Sequence, residues 1–564
     1  MNAADALQAG AFVLVVALLV KPVGAYLERV FERRQTRLDS FLVPIERLIH
    51  RIVGIDPESE MDWKRYSLAF GVFGLVNVVM LYLALRWQAW LPWFFPNMMT
   101  TPMTPDLAAN TAVSFATTTT WQVYAGETTM SYFSQLLLAG QNFLAGAAGL
   151  AVGIAFIRGY AREKSAGLGN FWSDLIRAVL WVLLPVSLFG SLVLIAQGVP
   201  MNFLPYTIAL TIEGGAQTIA QGPVAALEFI KNLGTNGGGF FNVNAAHPFE
   251  NPTPLTNFIE LLAIVVIPAA FTHTFGRMVG GPRDGWVIFW TMTVLFVAGL
   301  LVCNWAESNA HPAFANEITT ASMEGKEVRF GVGGSALAAV VTSNSATGSY
   351  NSMHDSFQPL GGAVPLVNML LGEIVYGGLG TGLYSMIFVA LVALFVGGLM
   401  VGRTPEHLGK QIGPAEMKII AVYTLVGPVT VLTLTALAVV TKAGCAGLTT
   451  NAGAHGFTEI LFAYASAFAN NGQSMAGLSA NNVFYNVTTI SAMLMGRYVL
   501  AVLALALAGR FAAASRRPSS RGTMPSDGIT FGVLLAGTAL FVGALNFLPG
   551  LAMGPIVECF SMNP

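Results

Sequence analysis

Long apolar stretches separated by short polar segments recur along the whole chain. Each stretch is about 20 residues long, which is the length that an α-helix needs to cross the roughly 30 Å hydrocarbon core of a membrane. Ten such stretches can be counted, so the pattern predicts an all-α integral membrane protein with about ten transmembrane helices. The predicted spans are 6–25, 66–86, 132–157, 174–197, 256–276, 286–303, 363–402, 418–440, 482–509 and 529–548.

The seventh stretch is twice as long as one span requires. As one straight helix, residues 363–402 would be roughly 60 Å long at 1.5 Å per residue. The stretch is therefore expected to fold or break, and the predicted break is the run Gly377-Gly378-Leu379-Gly380-Thr381-Gly382. We interpret Gly377, Gly378, Gly380 and Gly382 as parts of a gate, with a merely structural kink as the alternative.

Four apolar segments that are too short to cross are each followed by a loop of small, hydroxyl or amide residues. These segments are expected to enter the membrane from one side and turn back, and they cover 110–116, 224–233, 334–341 and 457–469. The loops recur roughly every 120 residues, which predicts an internal repeat of span, pore helix, loop and span. The loop residues are Thr118, Thr119, Thr120, Thr235, Asn236, Gly237, Gly238, Ser345, Ala346, Thr347, Gly348, Asn470, Asn471 and Gly472.

The repeats organise residues 1–564 into a single membrane domain. Repeats one to four cover 66–157, 174–276, 286–402 and 418–509. Residues 1–65 supply a first span and a cytoplasmic loop, and residues 529–564 supply the last span and an outer C-terminus. The expected fold is therefore four pseudosymmetric helix–pore loop–helix repeats with peripheral first and last helices.

Loops of this composition suit an ion site built from backbone carbonyls. Glycine permits unusual dihedral angles that turn carbonyls inward, and threonine or asparagine can brace a tight turn. The C-terminal dipole ends of the four short helices, each worth about half a negative charge, would favour a cation. Independent flexible loops are the alternative, but their repetition favours a potassium site at these residues. Because the loops differ in sequence, the predicted filter is pseudosymmetric.

Five polar residues outside the loops are candidates for supporting roles. Gln122, Glu127 and Asp355 follow the loops and are interpreted as filter supports, with solvated mouth residues as the alternative. Glu373 and Arg497 lie inside apolar stretches, where ionisable groups are costly and usually face a cavity. We assign both to the gate, where they would bar the inner exit or steer a cation. A structural ion pair or an arginine that reaches the interface is the alternative.

Composition and charge argue against several classes of function. Only 10% of the residues are charged and 54% are hydrophobic, whereas soluble domains have about 25% charged residues. The net charge of −1 argues against a nucleic-acid partner. The sequence contains no phosphate-binding loop, no phosphorylation motif and no catalytic triad, so the chain is not expected to use ATP by itself or to hold an organic cofactor.

The distribution of basic residues predicts the orientation in the membrane. Positively charged loops stay on the cytoplasmic side. Of the 28 Lys and Arg residues, 21 fall in alternate connections, and this predicts that both termini and all four special loops lie outside. The basic connections are 26–65, 158–177, 277–285, 403–418 and 510–521.

Eight stretches form a specific set of motifs. They are Asn110-Thr-Ala-Val-Ser-Phe, Trp121-Gln122, Gly126-Glu127, Gly234-Thr-Asn-Gly-Gly-Gly-Phe-Phe-Asn242, Ala246-His-Pro-Phe-Glu-Asn-Pro252, His354-Asp-Ser-Phe357, Asn470-Asn-Gly472 and Gly477-Leu-Ser-Ala-Asn-Asn482. In these stretches the chain resembles the KdpA family, the potassium-binding subunits of bacterial Kdp potassium-transporting ATPases, and the resemblance covers essentially the whole chain. One departure is the first loop, which reads Thr-Thr-Thr-Thr where the family commonly has Thr-Asn-Thr-Asn, so affinity could differ.

The resemblance implies the potassium-selective subunit of an ATP-driven uptake pump in the bacterial cytoplasmic (inner) membrane. A separate KdpB-like P-type ATPase subunit would hydrolyse ATP, and KdpC-like and small KdpF-like subunits would complete the complex. The ion is implied to leave the filter by a tunnel towards the KdpB-like subunit. The alternative is an autonomous potassium channel or cation symporter of the same repeat superfamily, which would not need ten spans or the elongated seventh stretch.

Overall fold

The computed structural model describes residues 3–90, 100–309, 322–518 and 523–562. Within these ranges, ten helices are long and apolar enough to span a membrane, which confirms the predicted all-α class. The main helices, in chain order, are α1 (Ala3–Phe31), α2 (Asp39–Val53), α3 (Trp63–Trp87), α4 (Pro105–Ala116), α5 (Tyr132–Ala161), α6 (Phe171–Ala196), α7 (Val224–Leu233), α8 (Pro254–Met278), α9 (Pro282–Ser308), α10 (Gly331–Asn344), α11 (Pro359–Leu370), α12 (Thr381–Met400), α13 (Pro414–Val440), α14 (Gly453–Ala469), α15 (Val483–Ala513) and α16 (Ile529–Met562).

The remaining elements are short. Two antiparallel hairpins pair β1 (Thr207–Leu210) with β2 (Ala216–Ile219) and β3 (Glu406–His407) with β4 (Lys410–Gln411). Both lie in connections between spans. The first hairpin is mostly exposed, whereas Glu406, His407 and Lys410 of the second are buried, and His407 packs against Tyr160. Single helical turns are found at Gln88–Trp90, Gly126–Thr129, Asn244–Ala246, His354–Ser356 and Lys442–Cys445.

Each pair of consecutive spans from α3 to α15 encloses one pore helix. The pore helices are α4, α7, α10 and α14. Helix α7 has the predicted bounds, whereas the other three begin three to five residues earlier than predicted. In α4 the earlier start follows from Thr104, whose hydroxyl accepts from the backbone N–H of Leu107, and from Pro105, which fits the first helical turn. The exact repeat boundaries remain a prediction.

The seventh apolar stretch is broken, as its length required. Helix α11 ends at Leu370 and α12 begins at Thr381, so the break covers 371–380. It begins six residues before the predicted Gly377, and Gly382 lies inside α12. Gly372 and Gly380 adopt left-handed φ values of 83° and 89° at the two ends of the break, which glycine accommodates without steric cost. These two glycines set its limits.

Burial separates a central set of helices from a peripheral one. In α5, 89% of the most apolar window is buried, against 17% in α1 and 22% in α16. Small residues allow this packing, because a Cβ added to Gly153 in α5 would lie 2.6 Å from the Cα of Gly380. Helix α5 therefore packs directly against the break between α11 and α12.

Candidate functional site

The four predicted filter loops meet in a closed ring. A Cβ on Gly237 would lie 2.6 Å from the Cα of Gly348 and 2.7 Å from Oγ1 of Thr120, which joins loop two to loops three and one. A Cβ on Gly348 would lie 2.8 Å from the carbonyl carbon of Gly472, and one on Gly472 would overlap the carbonyl oxygen of Thr119. Each loop thus touches its two neighbours, and segments more than 300 residues apart in sequence share one site.

The same backbone conformation recurs at one equivalent position in all four loops. The residue two positions before Thr120, Gly237, Gly348 or Gly472 has a left-handed φ. In each loop this preceding residue is not a glycine. This conformation is uncommon for other residues and is concentrated at functional sites, where the surrounding structure imposes it. The residues are Thr118, Thr235, Ala346 and Asn470, with φ values of 67°, 48°, 52° and 56°.

Glycine is needed in the ring for two different reasons. Gly238 and Gly472 have left-handed φ values of 67° and 91°. Gly237 and Gly348 lie outside that region, so the expectation that glycine supplies an unusual dihedral angle does not hold at these two positions. At both of them the neighbouring loop leaves no room for a side chain.

Three loops are closed by the same hydrogen bond, in which a backbone N–H donates to the carbonyl oxygen five residues earlier. The first loop is one residue wider, because the N–H of Thr120 donates to the carbonyl of Ser114 over 3.0 Å. This difference coincides with the loop that contains no glycine. The regular bonds run from Asn236 to Lys231, from Thr347 to Thr342 and from Asn471 to Ser466.

Side-chain amides join the loops to one another and to the break. Asn470 donates from Nδ2 to Oγ1 of Thr119 over 2.9 Å, which links loop four to loop one. Asn471 donates to the carbonyl of Thr342 and to Oε1 of Glu373, both over 2.8 Å. Because all of these groups are buried, each bond replaces one that water would otherwise make. The amides therefore hold the ring in one arrangement.

The ring separates two cavities of very different size. On one side, a cavity of about 620 Å³ is lined by residues that follow each of the four loops, among them Gln122, Asn242, Tyr350 and Ser474. On the other side, a cavity of about 20 Å³ is lined by the four left-handed residues, by Leu379 of the break and by Arg497. The small cavity has room for about one water-sized particle.

Arg497 lies in a π-helical segment of α15 and borders the small cavity. Its Nη2 donates to the carbonyl of Ala145 over 2.8 Å, and its guanidinium carbon lies 5.6 Å from the ring centre of Phe70. Within the described part of the chain it forms no ion pair, and its Nε has no hydrogen-bond partner. The alternative of a structural ion pair is therefore not realised among these residues.

The predicted gate residues lie directly against the loops. Glu373 is 1% exposed, has a φ of 52° and accepts from Asn471 of loop four. The N–H of Leu379 donates to Oγ1 of Thr235 over 3.0 Å, so the break also contacts loop two. Gly377 and Gly382 approach each other so closely that a Cβ on Gly377 would lie 3.0 Å from the Cα of Gly382.

Two of the three predicted supports contact the second repeat near the ring. Gln122 donates to the carbonyl of Gly239 over 3.2 Å and accepts from its N–H over 2.9 Å, which ties loop one to loop two. Glu127 accepts from the N–H of Asn242 over 2.9 Å, and burial raises the pKa of its carboxyl group. Both residues therefore position the segment that follows loop two.

Asp355, the third predicted support, contacts residues outside the ring. Its carboxylate lies 3.0 Å from Nε2 of His455 and 3.2 Å from Nδ2 of Asn451, at the start of pore helix α14. His455 also contacts Glu558 through Nδ1 at 2.7 Å, and these two carboxylates raise the pKa of His455 to about 10. Asp355 thus connects the start of α14 to repeat three and, through His455, to the C-terminal helix.

A buried ionic cluster that was not predicted from the sequence lies behind loop two. Nζ of Lys231 lies 2.6 Å from Oε2 of Glu228 and 3.1 Å from Oε2 of Glu250, and all three side chains are fully buried. Glu250 also accepts from the N–H of Phe241 over 2.9 Å, so the cluster spans both ends of the glycine-rich loop. A charged lysine inside an apolar pore helix was the available signal.

Comparisons with known proteins agree with this geometry. A family model described as KdpA, potassium-transporting ATPase A subunit, matches residues 10–560. The chain is 52% identical over 549 residues to the "potassium-transporting ATPase potassium-binding subunit" of Methylorubrum extorquens, which covers 97% of this chain and 96% of the relative. A protein of the same description from Granulibacter bethesdensis is 51% identical over 566 residues, covering 100% and 99%.

The fold is also similar to a solved structure. The potassium transporter TrkH from Vibrio parahaemolyticus superposes with a TM-score of 0.53 and 13% identity, covering 89% of this chain and 98% of that one. At this identity the likeness concerns the fold alone. It places the ten-span arrangement described above among known membrane architectures.

Proposed function

The chain belongs to the KdpA family of potassium-transporting ATPase A subunits, and from this we propose that its ring of four loops is the filter that selects potassium for the pump. The chain is the potassium-binding, transporting subunit of the ATPase and not the catalytic one. Potassium is the transported substrate.

One observation carries the filter proposal: the four equivalent left-handed residues line a single small cavity on one side of the ring. A wide cavity on the other side can hold a hydrated cation, whereas the narrow one cannot. An ion that crosses the ring must therefore exchange water for protein oxygens. Carbonyl and hydroxyl oxygens are abundant in these loops, and such oxygens replace the hydration shell of potassium in selective filters.

The break between α11 and α12 is proposed as the gate that controls the next step. It contacts loop two through Leu379 and loop four through Glu373. A movement of the break would therefore displace both loops. Arg497 places a cationic group at the small cavity, and a like charge opposes straight passage of potassium. These two features support a sideways route towards a partner subunit.

The chain acts as part of an ATPase complex in a membrane that it crosses several times. We propose that the ATP-hydrolysing partner is a KdpB-like subunit and that KdpC-like and KdpF-like subunits complete the assembly. The membrane is proposed to be the bacterial inner membrane, as family membership implies. The concentration of basic residues in alternate connections supports an orientation with both termini and the wide cavity outside.

Reconstitution of the purified complex tests the filter. Potassium-stimulated ATP hydrolysis and uptake are measured for potassium, rubidium and sodium, first with wild type and then with variants of the ring. If the ring is the filter, we expect its variants to change both the ion concentration that half-stimulates ATP hydrolysis and the preference among the three ions. Unchanged preference in every ring variant would contradict it. Conduction by the purified chain without any ATPase subunit would instead support an autonomous channel.

A further inference from the structure

Helix α2 presents an apolar side that no described part of the chain covers. Phe41, Ile45, Leu48 and Ile52 follow one another at intervals of four, three and four residues, so they share one side of the helix. Their exposed fractions are 76%, 44%, 54% and 74%. Single exposed apolar residues are ordinary, but a contiguous row of four marks an interaction surface.

A second side of α2 is fixed to the protein. The carboxylate of Glu46 lies 2.7 Å from Nε of Arg177, near the beginning of α6. The carboxylate of Asp39 accepts from the indole nitrogen of Trp181 over 2.9 Å. Arg177 also donates to the carbonyl of Val30, at the end of α1. Helix α2 is therefore held where these two spans reach one face of the membrane.

The third side carries positive charge. Arg47 and Arg51 are one turn apart and exposed, and neither forms an ion pair within the described ranges. At 100° per residue they lie about 110° around the helix from the centre of the apolar row and on the side away from Glu46. Because both acidic residues of α2 are engaged by the protein, the charge that remains available is basic.

We propose that α2 is an interfacial helix that binds anionic phospholipids at this membrane face. The apolar row lies below the headgroups, and Arg47 and Arg51 contact the phosphates. A bilayer is the occupant that the geometry favours, since α2 is tethered to the ends of two membrane spans and carries an apolar row beside an exposed basic pair. Guanidinium groups match phosphate oxygens in shape and charge, and basic clusters beside spans recognise anionic lipid.

Lipid binding by the assembled complex tests the proposal without reference to ion transport. The detergent-solubilised complex is titrated with phosphatidylglycerol, or with phosphatidylcholine for comparison, and bound lipid is followed by native mass spectrometry. Arg47→Gln/Arg51→Gln is expected to lower the affinity for phosphatidylglycerol by roughly fivefold per arginine and to leave binding of phosphatidylcholine unchanged. Phe41→Ser/Ile52→Ser is expected to lower the binding of both lipids.

A matched variant removes the same charge elsewhere on the same face. Lys164 and Arg517 are exposed and lie in basic connections outside α2, so Lys164→Gln/Arg517→Gln should bind phosphatidylglycerol as wild type does. Equal phosphatidylglycerol affinity in wild type and in the Arg47/Arg51 variant would overturn the proposal. Loss of a partner subunit from the purified Arg47/Arg51 or Phe41/Ile52 variant would also overturn it, because α2 would then be a protein interface.

Discussion

The side-chain amide of Asn471 donates a 2.8 Å hydrogen bond to the carboxylate of Glu373, so the fourth filter loop is tied directly to the break in the third repeat. The same carboxylate accepts from the backbone of Ala346 in loop three. One buried acid thus holds two of the four loops. The proposed gate and the proposed filter share this residue, so they can be coupled without any longer path.

Replacing Glu373 separates its hydrogen bonds from its charge. Glu373→Gln keeps an acceptor for Asn471, whereas Glu373→Ala leaves the buried amide with one fewer partner. Removing the partner of a buried hydrogen-bond donor costs about 1–3 kcal/mol. We expect Glu373→Ala to raise the potassium concentration for half-maximal ATPase activity by roughly tenfold or more, and Glu373→Gln to have a smaller effect. Equal effects of the two variants would show that charge, and not the hydrogen bond, is what matters.

Substitution of Gly237 tests the close approach of the loops. A Cβ at this position would lie 2.6 Å from Gly348, so Gly237→Ala must push loops two and three apart. Gly237→Asp adds a misplaced charge. Overpacking typically costs about 1–3 kcal/mol, which predicts roughly tenfold weaker potassium stimulation and relaxed discrimination against rubidium and sodium. The matched control is Gly140→Ala, where no atom lies within 4 Å of the added carbon. Wild-type selectivity in Gly237→Asp would show that loop two is not part of the filter.

The buried cluster behind loop two is expected to be structural and intolerant of partial change. Lys231→Met leaves Glu228 and Glu250 buried without their cation, and breaking a buried pair in this way costs about 3–5 kcal/mol. The melting temperature of the purified complex should fall clearly. Lys231→Met/Glu250→Gln should recover part of the loss, and exposed Lys442→Met serves as the control. A double variant less stable than Lys231→Met would contradict this account.

His455 gives the contacts at the start of pore helix α14 a defined pH dependence. Its pKa is raised from 6.5 to about 10 by Asp355 and Glu558, so the protonated imidazole stabilises the folded state. This contribution is complete below about pH 6.5 and is lost as the pH rises towards 10. The melting temperature of the wild type should therefore decline between these values more steeply than that of His455→Gln. Parallel curves for the two proteins would mean that the contacts of His455 do not contribute to stability.

The repetitive part of this fold was accessible from the sequence, because it depends on local signals. Hydrophobic length located the spans, and equal spacing located the four pore helices and their loops. The early start of α4 also had a local signal in Thr104 and Pro105, a capping residue followed by a first-turn proline. The limits of the break between α11 and α12 depended on Gly372, which stands outside the obvious glycine run.

Other features of the site depend on contacts between distant segments. Nothing in the sequence around Ala346 signals a left-handed φ, because alanine does not favour that conformation and the ring imposes it. Asp355 was placed beside a loop by its position, yet its partner His455 is 100 residues away. Lys231 and Glu250 lie in different segments 19 residues apart, so their pair forms only in the folded chain.

Arg497 provides the sharpest test of how the ion leaves the filter. Its guanidinium borders the small cavity that the four left-handed residues line, and it has no acidic partner in the described part of the chain. At 4 Å it would oppose a potassium ion by about 1 kcal/mol in water and by about 4 kcal/mol at an effective dielectric constant of 20. Neutralising Arg497 should therefore change ion transport more strongly if the cavity holds little water.

We expect Arg497→Met to raise the amount of ATP hydrolysed per potassium ion transported, or to lower the transport rate, while the preference for potassium over rubidium and sodium stays as in wild type. Selectivity is expected to persist because the interloop contacts of the ring do not involve Arg497. Arg497→Lys keeps the charge but not the shape of the guanidinium, so it should retain more coupling than Arg497→Met. The measurement is the ratio of ATP hydrolysed to potassium moved in reconstituted complex. If both variants keep the wild-type ratio and rate, Arg497 serves only to pack α15 against Ala145 and Phe70.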